Sequence, residues 1–282
     1  MYKLKVKYNQ FNTVELTNNP DYSVYNIEGL DQTEANLSTS ANTTSHGGQI
    51  TSARVGNRNI VIYIKLNRNI ENNRLKLYQY FPQCENITLY FSHGSRNVSI
   101  EGTVEKVACP PFSEMEVAQI SIVCEKPFFK AVNEIITTFG DVLPLFEFPF
   151  SIPAEGVEFS SINPYLRRSI ISKSEVETGA KITLYSNGEV VNPVIYNVSD
   201  GKYMKLNFTM QTSDTIIINT NIGEKSITLI RNGVVTNLLG FMDMGSKWFT
   251  LIPGDNVFTY DCDSGNSNLQ ITFATDILYS GV

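Results

Sequence analysis

Residues 54–82 read RVGNRNIVIYIKLNRNIENNRLKLYQYFP, a turn, a strand, a second turn and a helix in quick succession. Ile60, Val61, Ile62, Tyr63 and Ile64 form a β-branched and aromatic run whose Asn- and Gly-rich flanks mark a strand of limited length. From about Asn69 to Tyr80 the pattern changes. Leu75, Tyr78 and Phe81 recur at three-residue spacing and set the predicted inward face of a helix. Arg74, Lys76 and Gln79 are left for water, and Pro82 stops the helix. One short helix in a β-rich chain is expected to cover an apolar sheet face. The stretch is also basic, with Arg54, Arg58, Lys65, Arg68, Arg74 and Lys76 against Glu71 alone.

The chain of 282 residues is comfortable as two domains, predicted as 1–140 and 141–282. Its 42% apolar and 11% aromatic residues are globular values, and Val, Ile, Thr, Tyr, Phe and Asn outweigh Ala and Leu, which predicts a mainly β protein. Residues 1–140 hold 13 Lys/Arg and 13 Asp/Glu, net 13 − 13 = 0; residues 141–282 hold 9 and 15, net 9 − 15 = −6. An acidic second half argues against nucleic-acid binding there. Cys84, Cys109, Cys124 and Cys262 lack zinc-ligand spacing and read as small buried apolar residues. MYKLKVKYNQF alternates charged and apolar residues instead of presenting a signal-peptide core, and no segment reaches 18 consecutive apolar residues, so neither secretion address nor membrane span is expected.

Taken in order, residues 1–8 alternate Tyr2, Leu4, Val6 and Tyr8 with Lys3, Lys5 and Lys7, the pattern of an edge strand guarded by lysines. Short β segments are expected at 13–16 and 23–30. STSANTTSHGGQITS, residues 38–52, is polar and Gly-containing and reads as a long surface loop. Strands follow at 87–91, 97–108 (with Gly102 as a possible bulge) and 116–124. Residues 131–153 carry Pro144, Pro149 and Pro153 among large apolar residues and read as a connector. Beyond it, Asn187-Gly188, Asp200-Gly201, Asn232-Gly233 and Pro253-Gly254 punctuate short strands about every ten residues, which implies an antiparallel sandwich.

Catalytic chemistry finds little footing. His46 and His93 each lie near Gly in an expected loop, without a nucleophile elbow, HExxH, P-loop or dinucleotide glycine pattern. Asp255, Asp261 and Asp263 lack the ligand spacing of a calcium loop. In WFTLIPG, Trp248 shares a face with Thr250 while Phe249 and Leu251 share the other, which favours a core or interface position for the tryptophan over an exposed platform. No catalytic, metal-binding or cofactor-binding residue is expected.

The order of these pieces resembles a known family. GNRNIVIYIKL (56–66), NRLKLYQYFP (73–82), ITLYF (87–91) and VSIEGTVEKVACPPFSEMEVAQISIVCEKPFF (98–129) are similar to the N-terminal domain of the siphophage distal tail proteins. VIYNVSDGKYMKLNFTM (194–210), DTIIINTNIGEKSITLIRNG (214–233) and SKWFTLIPGDNVFTY (246–260) are similar to the family's C-terminal region. The resemblance implies an N-terminal β-sandwich or split barrel with one α-helix, and a C-terminal galectin-like antiparallel β-sandwich. It implies a non-enzymatic hub in the virion tail tip, made in the bacterial cytoplasm. Six copies would form a ring between the tail tube protein and the tail-associated tip protein, meeting the tape-measure protein and docking receptor-binding proteins.

A ring of identical subunits joins two different surfaces of each copy. The expected loop and the basic stretch then supply the candidate interface residues Ser45, His46, Gly47, Gly48, Arg54, Arg58, Arg68 and Arg74, with Trp248 as the candidate ligand or partner contact of the second domain. The competing expectation is a carbohydrate-binding module in which the second domain grips a host wall glycan.

Overall fold

The computed structural model describes residues 2–9, 12–42, 46–111, 116–139, 142–144, 160–162 and 167–282. Ser45 and residues 140–141 and 145–153 of the proline-rich connector lie outside them. The chain forms two compact units, residues 1–132 with 278–282, and residues 133–277.

The first unit contains β1 (Lys3–Lys7), β2 (Thr13–Glu15), β3 (Tyr22–Glu28), β4 (Ala35–Ala41), β5 (Gly48–Val55), β6 (Arg58–Leu66), α1 (Ile70–Tyr80), β7 (Asn86–His93), β8 (Arg96–Ala108), β9 (Val117–Cys124) and β10 (Phe129–Ala131). The second contains β11 (Ile135–Phe139), β12 (Val142–Pro144), β13 (Ser160–Ile162), β14 (Arg168–Ser172), β15 (Ala180–Ser186), β16 (Val190–Val191), β17 (Val194–Asn197), β18 (Lys202–Lys205), β19 (Thr209–Met210), β20 (Thr215–Asn219), β21 (Ser226–Arg231), β22 (Val234–Asn237), β23 (Gly254–Asp261) and β24 (Leu269–Thr275). β25 (Leu278–Tyr279) returns to the first unit.

In the first unit one antiparallel sheet runs β2-β1-β7-β8-β9-β6-β3, extended by β10, which pairs with both β8 and β25. Period two decides what each strand buries: Leu4 and Val6, Ile87, Leu89 and Phe91, Ile120 and Ile122, and Ile60, Ile62, Ile64 and Leu66 form one core. The lysine-flanked β1 is not an edge. It is paired on both sides, by β2 and β7, and three-residue β2 is the edge instead. Gly102 is not the bulge either. The register slips between Val104 and Lys106, whereas a Cβ on Gly102 would lie 2.7 Å from Ile122 Cγ2, so glycine there admits the neighbouring strand's side chains.

Helix α1 turns a different face inward from the one predicted. Asn73 and Leu77 are buried, followed by Phe81, while Leu75 and Tyr78 are exposed. The stripe is thus i, i+4, i+8, and its first member is polar for a reason. Asn69 makes no capping bond through its side chain, and the Asn73 amide donates to Arg68 O at 2.7 Å in its place. Tyr22 Oη donates to Asn73 O at 3.1 Å, tying the helix to β3, and burial pushes the Tyr22 hydroxyl up to about 12.

Parity along β6 also carries Arg58 inward with Ile60, Ile62 and Ile64, and the side chain is 1% exposed. Its Nε donates to Pro127 O at 2.6 Å, Nη1 to Gly29 O at 2.5 Å and Asp31 O at 2.6 Å, and Nη2 to Ser280 O at 2.7 Å. The guanidinium lies 4.5 Å from the centroid of the Phe129 ring. Burial pulls its pKa down from the ordinary arginine value, and burial likewise pushes the neighbouring Cys124 thiol up to about 11. Cys84 departs from the other cysteines in being exposed, with a left-handed backbone at φ 63°.

The second unit is an antiparallel sandwich. A six-stranded sheet, β11-β24-β15-β20-β21-β22, and a four-stranded sheet, β14-β23-β17-β18, share a core that includes Ile182, Ile216, Ile218, Ile227, Phe249, Phe258 and Phe273. Asn232-Gly233 turns β21 into β22 with both residues at positive φ, 52° and 78°, as a two-residue hairpin requires. Asn187-Gly188 does not close a hairpin, because β15 pairs with β20 and β24 while β16 pairs with β19. Asp214, 1% exposed, accepts from Arg231 Nε at 2.8 Å and Nη2 at 2.5 Å and from Gln211 N at 2.7 Å. Arg231 is the main cause that holds the carboxyl below its ordinary value.

Two measurements test these contacts. Arg58→Met, which keeps bulk but leaves carbonyls unpaired, should lower the stability of the first unit by about 3–5 kcal/mol in denaturant unfolding, and Arg58→Lys should recover only part, since an ammonium cannot span the same acceptors. Asp214 has a depressed folded pKa, so its contribution is full above the ordinary carboxylate value of about 4 and is lost as pH falls through the folded value. Asp214→Asn should cost about 1–3 kcal/mol at neutral pH, and the gap from the unaltered protein should narrow as the pH falls below about 4.

Candidate functional site

The segment expected as a loop at 38–52 is a hairpin. β4 and β5 pair from Ala35↔Val55 through Asn36↔Arg54 and Leu37↔Ala53 to Ala41↔Gly48, with a register shift between Ser38 and Thr39. Thr51 Oγ1 donates to Ser38 O at 3.0 Å, and near the tip Asn42 N donates to Gly47 O at 3.2 Å. Thr, Ile and Val suit extended backbone, but the low hydrophobicity of ANLSTSA conceals the strand from a search for apolar alternation.

Every residue of both strands is exposed, including Leu37 at 55% and Ile50 at 63%. A two-stranded hairpin without a core is marginal in water. Neither strand pairs with any other described strand, so both outer edges offer unpaired backbone. Exposed edges are ordinarily guarded by charge or proline, and residues 35–53 contain no Lys, Arg, Asp, Glu or Pro. An arm whose residues 35–53 are uncharged, with Leu37 and Ile50 exposed along its strands and open edges, is chemically suited to lie against another protein surface.

The structure distributes the other candidates unevenly. His46, Gly47 and Gly48 share the tip of the arm and are exposed, and Arg54 is exposed near its base opposite Asn36. Arg68 is exposed in the turn before α1. Arg74 is half-buried and engaged within its own helix, with Nε 3.0 Å from Glu71 Oε2, Nη2 2.5 Å from Glu71 Oε1, and Nη1 donating to Tyr78 Oη at 3.2 Å. The hydrogen bond to Arg74 holds the Glu71 carboxyl below its ordinary value. Arg58 must be withdrawn as an interface residue, because its donors are directed into the first unit's own backbone.

In the second unit Trp248 is half-buried against the core, with Lys225 Nζ 5.7 Å from its ring centroid, while Phe249 and Leu251 are each 1% exposed. Asp255, Asp261 and Asp263 are exposed, and Asp263 pairs with Lys205 at 3.2 Å. Among the described residues no group of three or more His, Cys, Asp or Glu is placed to hold a metal ion. A surface that the sequence did not single out is the outer face of the four-stranded sheet, where Tyr196 and Tyr203 stand directly opposite each other.

Comparison with known proteins locates this architecture. Residues 173–276 match the family model described as siphovirus-type tail component, C-terminal domain. A crystal structure of SPP1 Dit, described as a paradigm of the hub adsorption apparatus in phages infecting Gram-positive hosts, is similar with a TM-score of 0.71 at 10% identity over 99% of both chains. A chain of the phage P2 baseplate in its activated conformation is similar with a TM-score of 0.52 at 13% identity over 100% of both chains. A search of curated proteins gave no match. Residues 173–276 are thus similar in sequence to the C-terminal domain of a siphovirus-type tail component, and the fold along the chain is similar to that of SPP1 Dit.

Proposed function

We propose that the chain is a non-enzymatic structural subunit of a phage or phage-like tail tip. Six copies form a ring that joins the tail tube protein to the tail-associated tip protein and the adsorption apparatus, beneath the end of the tape-measure protein. The second unit faces outward as a platform for receptor-binding proteins. The observation that carries the reading is the β4–β5 arm, supported by the likeness in fold to a hub protein along the whole chain.

A closed ring needs each copy to present one surface and receive a different one. The arm is such a donor. Seven residues of extended strand reach about 23 Å, enough to leave one subunit and cross onto the next. Its apolar residues and unguarded edges become buried only on that neighbour. Receiving edges exist at the borders of the first unit's sheet, where β3 and β2 each lack a second partner strand among those described. Arg54, at the arm's base, and Arg68, outside the core, remain available for the same contact. Arg74 is already paired with Glu71, so its contribution is through helix packing rather than a free charge.

Light scattering with negative-stain imaging tests the ring. The expected mass is six times 31.6 kDa, about 190 kDa, with an open centre. Removing residues 37–53 and joining Asn36 to Arg54 through Asn-Gly keeps the paired base of the arm, so the subunit should stay folded with a melting temperature changed by no more than a few degrees. That variant should lose the ring, alone or in co-assembly with the tip protein. A ring of unchanged mass would overturn the role of the arm.

A further inference from the structure

The outer face of the four-stranded sheet carries a cross-strand row of Tyr203, Tyr196 and Thr259, since Tyr196 pairs with Tyr203 on β18 and with Thr259 on β23. The two rings lie 6.2 Å apart at 44°, and Tyr196 is 40% exposed. A tyrosine pair of this kind stabilises a sheet by itself. Its surroundings do more than that. Tyr203 Oη donates to Asp243 Oδ2 at 3.1 Å, the same oxygen accepts from Gly245 N at 3.0 Å, and Asn207 Nδ2 reaches Asp243 Oδ1 at 3.5 Å. A Cβ on Gly245 would lie 2.2 Å from the Tyr203 hydroxyl, so a side chain there would displace the hydroxyl from Asp243.

In the next row Lys205 Nζ lies 3.2 Å from Asp263 Oδ1, and Asn192 Nδ2 donates to Asp263 Oδ2 at 2.7 Å. Lys202 is paired with Asp200 at 2.6 Å. Each lysine bordering the rings is therefore paired with its own carboxylate, Asp243 is held by neutral donors, and the polar groups are in place before any ligand arrives. An exposed aromatic face beside oriented donors and acceptors, with no unpaired cation among them, matches one ligand chemistry well. A pyranose offers an apolar C–H face to the rings and hydroxyls to the rim. A strongly anionic polymer finds no excess of cations, and a lipid surface finds no continuous apolar patch.

We infer that this face is a binding site for a neutral saccharide, with Tyr196 and Tyr203 beneath the sugar and Asp243, Asn207, Lys205 and Thr259 at its hydroxyls. All of these residues lie within the second unit, whereas the β4–β5 arm proposed to close the ring belongs to the first. The full chain should be tested on an immobilised panel of glucose, galactose, N-acetylglucosamine and rhamnose oligosaccharides, followed by calorimetric titration of the best binder. Binding should be weak, with a Kd of roughly a millimolar or tighter. It should be insensitive to salt between about 50 mM and 500 mM, a range over which exposed charge contacts are screened.

Tyr196→Ala should reduce affinity at least about tenfold, the loss of one stacked ring, while Tyr196→Trp, which keeps an aromatic face and guards against a mere folding defect, should retain or improve it. Failure of the unaltered chain to bind any member of the panel overturns the site. So does binding that survives Tyr196→Ala, binding lost only with Trp248→Ala, or binding confined to an anionic glycopolymer and abolished by salt.

Discussion

A buried guanidinium with no carboxylate among its hydrogen-bond partners is the constraint on which the first unit depends. Arg58 enters the core at the first position of β6, and its hydrogen bonds go to backbone carbonyls of the turn after β3, the corner after β9 and the segment after β25. These carbonyls belong to chain reversals, and a buried carbonyl without a donor is costly. One planar side chain satisfies all of them. The arrangement also makes the charge tolerable, because four oriented dipoles and the face of Phe129 replace the water that the cation gave up. Three parts of the chain far apart in sequence are thereby held at one point.

Neighbouring features follow the same logic of local polar satisfaction. Asn73 occupies an inward helix position because its amide replaces a missing cap, and Tyr22 binds the Asn73 carbonyl from β3. In the second unit Asp214 collects an arginine and a backbone N–H at a turn. Both units thus combine alternating apolar strands with a few fully engaged polar anchors, and leave the surface between these anchors free for contacts with other molecules.

Much of this was legible in the sequence. Alternation in residues 1–8 marked β1 and its buried face, the β-branched run 60–64 marked β6, and Asn232-Gly233 marked a true hairpin because the residues on both sides pair with each other. Asn187-Gly188 carries the same local signal, yet the strands beside it find partners elsewhere in the sheets. The position of Arg58 was present in its parity with Ile60 and Ile62 and was obscured by its charge, which suggested a solvated flank. The arm was hidden for the opposite reason: Ser, Thr and Asn read as loop when no core is available to select them. In the helix, three-residue spacing singled out Leu75 and Tyr78, but packing chose the stripe that included an asparagine. The Tyr196–Tyr203 pair depends on the register between β17 and β18, which composition does not reveal.

The return of β25 has a bearing on the order in which the protein is made. A ribosome delivers β10 before the 145 residues numbered 133–277, and only then the strand that pairs with it. At elongation rates of about 5–20 residues per second that interval is roughly 7–30 s, long compared with the folding time of most small domains. During this time Arg58 has one of its acceptors, Ser280 O, still unsynthesised, and β10 has an open side. Both units therefore wait for the end of the chain, because β24, which pairs with β11 and β15 in the second unit, is made only a few residues before β25. A nascent chain interrupted within the second unit retains an unfinished sheet and an under-solvated cation, so incomplete translation products are physically distinguished from finished subunits before assembly begins.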